Sequence, residues 1–435
     1  MLNNIKSIYI INKIFEPLTY TAKLNLIKYN KIISNRLDIK LEDYKDEFYK
    51  IFNRTFKVKI NALNINELKL NKKKIDDKKF KFLCKIGFDS VKALYLNDNN
   101  IIYIQPFQVA CFKRIKYLNL SNNQILNIDL LMHANFNELR ILYLMGNQIS
   151  DISVLIHPNF SNLKELNLGK NNISNISVLR DAHFQKLNVL ILNNNKISDI
   201  YVLKDLNCQE LKILDLNNNE IEDINVLKGV KFEDLKVLYL KGNKIVYIDE
   251  LKHANFPKLN DLNLNNNQIV VIDDLEHVNF KKLKVLSLNN NKISDIKVLQ
   301  KVNFKKLKYL NLGHNKLSNI DTFKVVNFKE LRELNLKFND ISDIKPLLNP
   351  NFIKLRRINL TGNEKLYKVK MYEYRYYSLN NPIQKELTKY FKKLKVSVNT
   401  KRKRKFSSKK DKIIPKKEKK SRKKNIKKYN LTIFN

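Results

Sequence analysis

The histidines and cysteines are the residues of this 435-residue chain that could bind a metal ion or act as nucleophiles. Four of the six histidines form two pairs separated by 24 residues, His133 with His157 and His253 with His277. If that separation is one coil of a repeating structure, each pair could approach the distance at which a metal ion bridges two imidazoles. No cysteine or carboxylate recurs beside the pairs in register, so we expect surface histidines and no metal site.

Catalytic signatures are also missing from the sequence. The spacings of Cys84, Cys111 and Cys208 fit neither a disulfide framework nor a zinc ribbon. The seven glycines form neither a phosphate-binding loop nor a dinucleotide fingerprint, and no nucleophile elbow occurs. We therefore expect a protein that is not an enzyme and has no cofactor.

The cell compartment is predicted from the same residues. Sparse thiols favour a reducing, intracellular environment. No apolar run approaches the ~20 residues of a membrane span, so we expect no integral membrane segment. The sequence thus predicts a cytoplasmic or nuclear protein.

A 24-residue repeat organises the centre of the chain. The motif LxxLxLxxNxI occurs twelve times, from the copy at Val91 to the copy at Leu355, without an insertion or deletion. A degenerate thirteenth copy covers residues 65–75, with Lys73 in the place of the asparagine. Such regularity is typical of a solenoid, in which each repeat packs only on its neighbours.

Each repeated position predicts a structural role. With the first residue of the motif as position 1, the leucines at positions 4 and 6 alternate with outward side chains, which predicts a strand. Position 9 is asparagine in all twelve copies, and we expect these side chains to form an interior ladder that satisfies buried backbone groups. Position 14 is isoleucine in all eleven complete repeats, and position 22 is phenylalanine in ten of them, with Cys208 as the exception. Aspartates are expected to cap a short helix or 3₁₀ turn at Asp151, Asp199, Asp223, Asp295 and Asp343.

The motif resembles that of the leucine-rich-repeat superfamily. The second half of each repeat is similar to the short repeats of protein-phosphatase regulators and bacterial internalins, and the chain is like repeat proteins of protists or giant viruses. The resemblance implies an α/β fold: a curved, right-handed solenoid with a parallel sheet on its concave face and short helices or 3₁₀ turns on its convex face. For function it implies a binding scaffold or, on repeat similarity alone, a phosphatase regulatory subunit.

Four segments are predicted. Residues 1–64 form a helical leader, in which Leu24, Ile27 and Ile32 have near-helical spacing. Residues 65–366 form the solenoid, and residues 367–400 a C-terminal cap with an amphipathic helix. The lysines on that helix leave a membrane-surface helix open as an alternative. Residues 401–435 form a disordered basic tail.

The predicted partner-binding surface consists of outward side chains at positions 3 and 5 of the strands. Tyrosines, branched aliphatics and an acid there resemble the core of a protein interface, although the same residue types are also good strand formers. The residues are Tyr95, Tyr117, Ile141, Tyr143, Val189, Ile191, Ile213, Asp215, Val237, Tyr239 and Tyr309. Position 2 adds lysine or arginine in ten of twelve copies, which predicts either a basic stripe that steers an acidic partner or a solvated edge.

The positive charge is concentrated at the C-terminus. The chain has a formal net charge of +41, and residues 401–435 contain 17 Lys/Arg against two Asp/Glu. These clusters suit nuclear import or contact with nucleic-acid phosphates, whereas a Lys- and Asn-rich, AT-rich genome would produce the same bias without such a role. The residues are Lys401, Arg402, Lys403, Arg404, Lys405, Lys416, Lys417, Lys419, Lys420, Arg422, Lys423 and Lys424. We expect a monomer with a protein partner, and nucleic acid as the alternative partner of the tail.

Overall fold

The computed structural model of the protein describes residues 12–368 apart from positions 14, 17, 19, 39, 63, 87, 110, 111 and 135. Of the predicted C-terminal cap, only residues 367 and 368 are described. The rest of the cap and the whole predicted basic tail, with its residues Lys401 to Lys424, lie outside the described residues. The N-terminal part contains helices α1 (Tyr20–Tyr29), α2 (Lys31–Arg36), α3 (Leu41–Phe56) and α4 (Asp77–Cys84).

The described residues form a single parallel sheet of thirteen strands, arranged in the order in which they occur along the chain. Each strand pairs with its neighbours in the same register, so every coil repeats the one before it. Connections between parallel strands of one sheet are right-handed as a rule. The fold is the predicted solenoid. The strands are β1 (Glu67–Lys69), β2 (Ala93–Tyr95), β3 (Tyr117–Asn119), β4 (Ile141–Tyr143), β5 (Glu165–Asn167), β6 (Val189–Ile191), β7 (Ile213–Asp215), β8 (Val237–Tyr239), β9 (Asp261–Asn263), β10 (Val285–Ser287), β11 (Tyr309–Asn311), β12 (Glu333–Asn335) and β13 (Arg357–Asn359).

Short 3₁₀ helices return the chain on the opposite side of each coil. The five predicted aspartates all begin such turns: Asp151 Oδ1, for example, accepts a hydrogen bond of 2.8 Å from the backbone N–H of Ser153. The 3₁₀ helices are Gln105–Val109, Asp129–His133, Ser153–Ile156, Pro158–Phe160, Ser177–Arg180, Tyr201–Lys204, Asn225–Gly229, Asp249–His253, Asp273–Glu276, Lys297–Gln300, Asp321–Lys324, Lys345–Leu348 and Glu364–Lys368.

The repeated apolar side chains form the core. The isoleucines at position 14 and the ten phenylalanines at position 22 are each no more than 2% exposed. Cys208 occupies the remaining phenylalanine position at 1% exposure, and its Sγ lies 3.2 Å from the carbonyl oxygen of Phe184. Burial raises the pKa of the Cys208 thiol to about 12, so this cysteine is an inert core residue.

The position-9 asparagines form the predicted ladder between coils. Asn219 Nδ2 donates to the carbonyl oxygens of Leu216 in its own coil and Leu192 in the coil before, at 3.1 and 3.0 Å. Its Oδ1 accepts from the N–H of Ile197, also in the previous coil, at 3.1 Å. Eleven of the twelve asparagines are buried and Asn315 is half-buried. One amide thus satisfies three backbone groups that the turn leaves without partners.

Position 8 has a left-handed backbone in all twelve coils, with φ between 50° and 79°. Nine of these residues are asparagine, aspartate or glycine, the types that tolerate this conformation. Lys170, His314 and Phe338 are the exceptions. The Phe338 ring stacks on His314 with their centroids 4.4 Å apart, so the stacking offsets part of the backbone cost.

The N-terminal helices cover the open end of the first coils. Phe52 of α3 is fully buried, and its ring centroid lies 5.6 Å from that of Phe88. The ring centroid of Phe80 in α4 lies 4.9 Å from that of Phe107. Of the leader residues with near-helical spacing, Leu24 and Ile27 are buried, whereas Ile32 is 45% exposed and its neighbour Ile33 is buried. The Asn30 side chain accepts a hydrogen bond from the Ile33 N–H and begins a new helix, which breaks the spacing assumed across α1 and α2.

Candidate binding surface

The outward side chains at positions 3 and 5 of the strands form one continuous surface, called here the sheet face. All eleven residues predicted for partner binding lie on it, in β2, β3, β4, β6, β7, β8 and β11. Ten of them are half-buried by their neighbours. Val189 differs, since it is only 8% exposed and offers little surface to a partner.

Three tyrosines form a cluster at the N-terminal end of the sheet face. The ring centroids of Tyr95 and Tyr117 are 4.7 Å apart, and those of Tyr117 and Tyr143 are 5.6 Å apart in an edge-on arrangement. The Lys69 ammonium lies 5.7 Å from the Tyr95 ring centroid. Position 5 of one coil lies diagonally next to position 3 of the following coil, which brings Tyr95 against Tyr117, 22 residues later. Tyr117 and Tyr143 are 26 residues apart and lie along the opposite diagonal.

The diagonal between residues 22 apart also joins tyrosines to carboxylates. The Tyr143 hydroxyl donates to Glu165 Oε2 at 2.5 Å, and the Tyr239 hydroxyl donates to Asp261 Oδ2 at 3.1 Å. Glu165 and Asp261 were not among the predicted binding residues. The 22-residue spacing would have identified both, because each acid follows its tyrosine by that interval.

Two carboxylates near the middle of the sheet face are poorly solvated. Burial raises the pKa of Asp215 to about 6, against the opposing effect of the Asn217 N–H, which donates to Asp215 Oδ1 at 3.0 Å. Burial likewise raises the pKa of Asp261 to about 6, and the hydrogen bond from Tyr239 opposes it. The Tyr239 pKa is raised by burial and by Asp261. The two carboxylates are ionised at neutral pH at a cost that a cationic or hydrogen-bond-donating partner group would reduce.

The position-2 lysines and arginines lie at the edge of the sheet face and are partly neutralised. Lys116 pairs with Glu138 at 3.2 Å, and Lys212 hydrogen-bonds Asn188. Next to them, Arg357 at position 3 pairs with Glu333 at 3.0 Å. Lys116 is thus the only position-2 cation that makes an ion pair with a described residue, and the edge keeps most of its positive charge.

The histidine pairs lie at or beside the 3₁₀ turns, away from the sheet face. His157 Nδ1 accepts a hydrogen bond from the Asn159 N–H at 3.3 Å, which gives it a structural role in a turn. Within the described part of the chain, no group of three or more histidine, cysteine, aspartate or glutamate residues could hold a metal ion. No helix among the described residues is both long enough and apolar enough to cross a membrane.

Comparison with known proteins agrees with this architecture. The family model described as "Leucine Rich repeats (2 copies)" matches residues 137–181, 185–229 and 281–325, and two further leucine-rich-repeat models match residues 209–269 and 330–344. An internalin of Listeria monocytogenes is 26% identical, with a TM-score of 0.56 over 81% of this chain and 97% of the internalin chain. Among curated proteins, no sequence matches.

Two more distant structures share the fold. A leucine-rich-repeat protein of Leptospira interrogans is 21% identical, with a TM-score of 0.52 over 67% of this chain and 83% of its own. The Arabidopsis receptor kinase HAESA, solved with the peptide hormone IDA and the co-receptor SERK1, is 18% identical, with a TM-score of 0.53 over 70% of this chain and 55% of its own. The repeated coils define a solenoid that displays one long surface. The chain is a leucine-rich-repeat protein, as its motif predicted.

Proposed function

We propose that this protein is a non-catalytic scaffold or adaptor that binds a segment of another protein on its sheet face. Leucine-rich-repeat proteins are commonly interaction scaffolds, and HAESA, which has the same fold, binds a peptide hormone. The observation that carries the proposal is the composition of the sheet face: the tyrosine cluster at one end, the aliphatic side chains Ile191, Ile213 and Val237, and the hydrogen-bonded pair Tyr239–Asp261.

The chemistry of the sheet face suits a protein segment. Aromatic rings held by their neighbours lose little side-chain entropy on binding, and such residues dominate the affinity of protein interfaces. Asp215 and Asp261 would gain from a lysine, arginine or hydroxyl group of the partner, because their carboxylates are already partly desolvated. A partner is therefore expected to combine apolar side chains with at least one hydrogen-bond donor.

A capture experiment tests the proposal. Partners retained by the wild-type protein are compared with those retained by the triple variant Tyr143→Ala, Ile191→Ala, Tyr239→Ala. The control variant removes the same residue types from exposed positions outside the sheet face: Ile156→Ala, Tyr201→Ala, Tyr247→Ala. We expect only the first variant to lose partners, because each anchor residue removed should weaken the binding free energy by ~1–2 kcal/mol or more. Equal capture by both variants would show that the sheet face is not the binding surface.

The C-terminal tail supports a second candidate, contact with nucleic acid in the nucleus. Its basis is the 17 Lys/Arg within residues 401–435. Truncation after Thr400 should abolish nuclear accumulation, and binding of nucleic acid by the full chain should weaken steeply as salt is raised. Unchanged localisation together with salt-independent binding would exclude this role.

A further inference from the structure

A groove lined by lysines follows the edge of the sheet where β8 to β11 begin, and it is called here the lysine groove. It encloses about 360 Å³. Its lining residues occupy position 2 and position 24 of the repeat. Position 24 is the last residue of a coil and directly precedes position 1 of the next coil. The lining residues are Asp234, Lys236, Lys258, Asn260, Lys282, Lys284 and Lys306.

The backbone of the solenoid fixes these side chains next to one another. The N–H of Asn260 donates to the carbonyl oxygen of Lys236 at 2.9 Å, and the N–H of Lys284 donates to that of Asn260 at 2.8 Å. The N–H of Lys308 in turn donates to the Lys284 carbonyl oxygen at 2.7 Å. Successive coils are thus held about 4.8 Å apart, and the ammonium groups cannot separate by moving the backbone.

Most of the positive charge in the lysine groove has no counter-charge. Lys258 pairs with Asp234 at one end. Beyond the other end, Glu330 pairs with Lys354 at 2.5 Å. Lys236, Lys282, Lys284 and Lys306 are exposed and make no ion pair with any described residue. Like charges held this close repel one another, so an anion in the groove would relieve a cost that the fold already carries.

We propose that the lysine groove binds an acidic segment of the protein that occupies the neighbouring sheet face. The proposal rests on the proposed scaffold function and adds the charge of the partner. The free lysines span only three coils and end at ion-paired acids on both sides, which suits a short run of carboxylates. A longer polyanion such as a nucleic-acid strand would run past these coils and meet the acids Asp234 and Glu330 that border them.

The test measures binding of two probes to the full chain. The first is a fluorescent peptide of ten glutamates, and the second is a ten-nucleotide oligothymidylate. The groove variant is Lys282→Gln, Lys284→Gln, Lys306→Gln. The matched control is Lys196→Gln, Lys231→Gln, Lys316→Gln, which removes three exposed lysines elsewhere on the solenoid. Both variants keep the basic tail, so the contribution of the tail to each probe is the same.

We expect the groove variant to bind the glutamate peptide about tenfold more weakly than the control variant, as three exposed charge pairs would produce. The two variants should bind the oligothymidylate equally. Equal affinity of the two variants for the glutamate peptide would overturn the proposal. A larger loss for oligothymidylate than for the peptide would also overturn it and assign the groove to phosphates. Neither result tests whether the sheet face binds a partner. That proposal would be contradicted only by the capture experiment with the tyrosine variants.

Discussion

At the scale of single residues, Asp215 and Asp261 couple the stability of the sheet face to pH. Burial raises the pKa of each to about 6, above the value of about 4 in an unfolded chain. The folded protein therefore holds these protons more tightly, and the resulting stabilisation is complete below pH ~4 and is lost as pH rises through about 6.

Replacement of either carboxylate by an amide should therefore stabilise the protein at neutral pH. We expect Asp215→Asn and Asp261→Asn each to raise the free energy of unfolding by about 1 kcal/mol at pH 7.5, after allowance for solvent screening of half-exposed groups. An asparagine Oδ1 can still accept the hydrogen bond from the Asn217 N–H or the Tyr239 hydroxyl. The gain should vanish at pH 3.5, and urea unfolding at both pH values measures it. Asp181→Asn, at an exposed carboxylate outside the sheet face, is the control, and an equal gain there would refute the argument.

At the scale of the structural element, the asparagine ladder joins one coil to the next. Asn219→Ala would leave the N–H of Ile197 without its hydrogen-bond partner. It would also remove one of the two amide donors of the Leu192 and Leu216 carbonyl oxygens, which keep their bonds from Asn195 and Asn243. We expect a loss of about 2 kcal/mol in the free energy of unfolding, since an unsatisfied buried group costs ~1–3 kcal/mol and the two carbonyl oxygens each lose a second donor. The exposed Asn303, replaced by alanine, should change stability by less than ~0.5 kcal/mol. A similar small effect at Asn219 would mean that the ladder does not stabilise the turns.

The coil that contains Cys208 has a compensating change in volume. Cys208 is the smallest residue at position 22, and Leu206, two residues earlier, is the bulkiest at position 20, where most coils have alanine, valine or proline. Both are buried. Cys208→Phe alone should overpack the coil and destabilise it by ~1–3 kcal/mol. The double variant Leu206→Ala, Cys208→Phe should be more stable than the sum of the single changes predicts, by ~1 kcal/mol or more. Additive effects in a thermal-unfolding cycle would show that the two side chains do not share this space.

At the scale of the whole molecule, the sequence determines the solenoid and its interior more fully than its surface. Positions 9, 14 and 22 were predictable because one backbone constraint recurs in every coil and selects the same residue each time. The surface departs from that regularity. The left-handed conformation of Phe338 runs against its residue type, and the burial of Val189 depends on side chains of adjacent coils. The lysine groove likewise depends on which coils pair their lysines with an acid, and position-2 identity alone does not reveal this.

The N-terminal helices should stabilise the solenoid from one end, because each coil contacts only its neighbours and a disturbance weakens with distance along the array. Phe52 is fully buried, with its ring centroid 4.6 Å from that of Phe56 and 5.6 Å from that of Phe88. Phe52→Ala removes a contact worth ~3–5 kcal/mol. Backbone hydrogen exchange should then accelerate most in residues 41–125 and little in residues 283–350. Phe280→Ala, in the middle of the array, should instead accelerate exchange on both sides of β10. If Phe52→Ala accelerated exchange equally in all coils, the solenoid would unfold as one cooperative unit and its N-terminal helices would govern the stability of every coil.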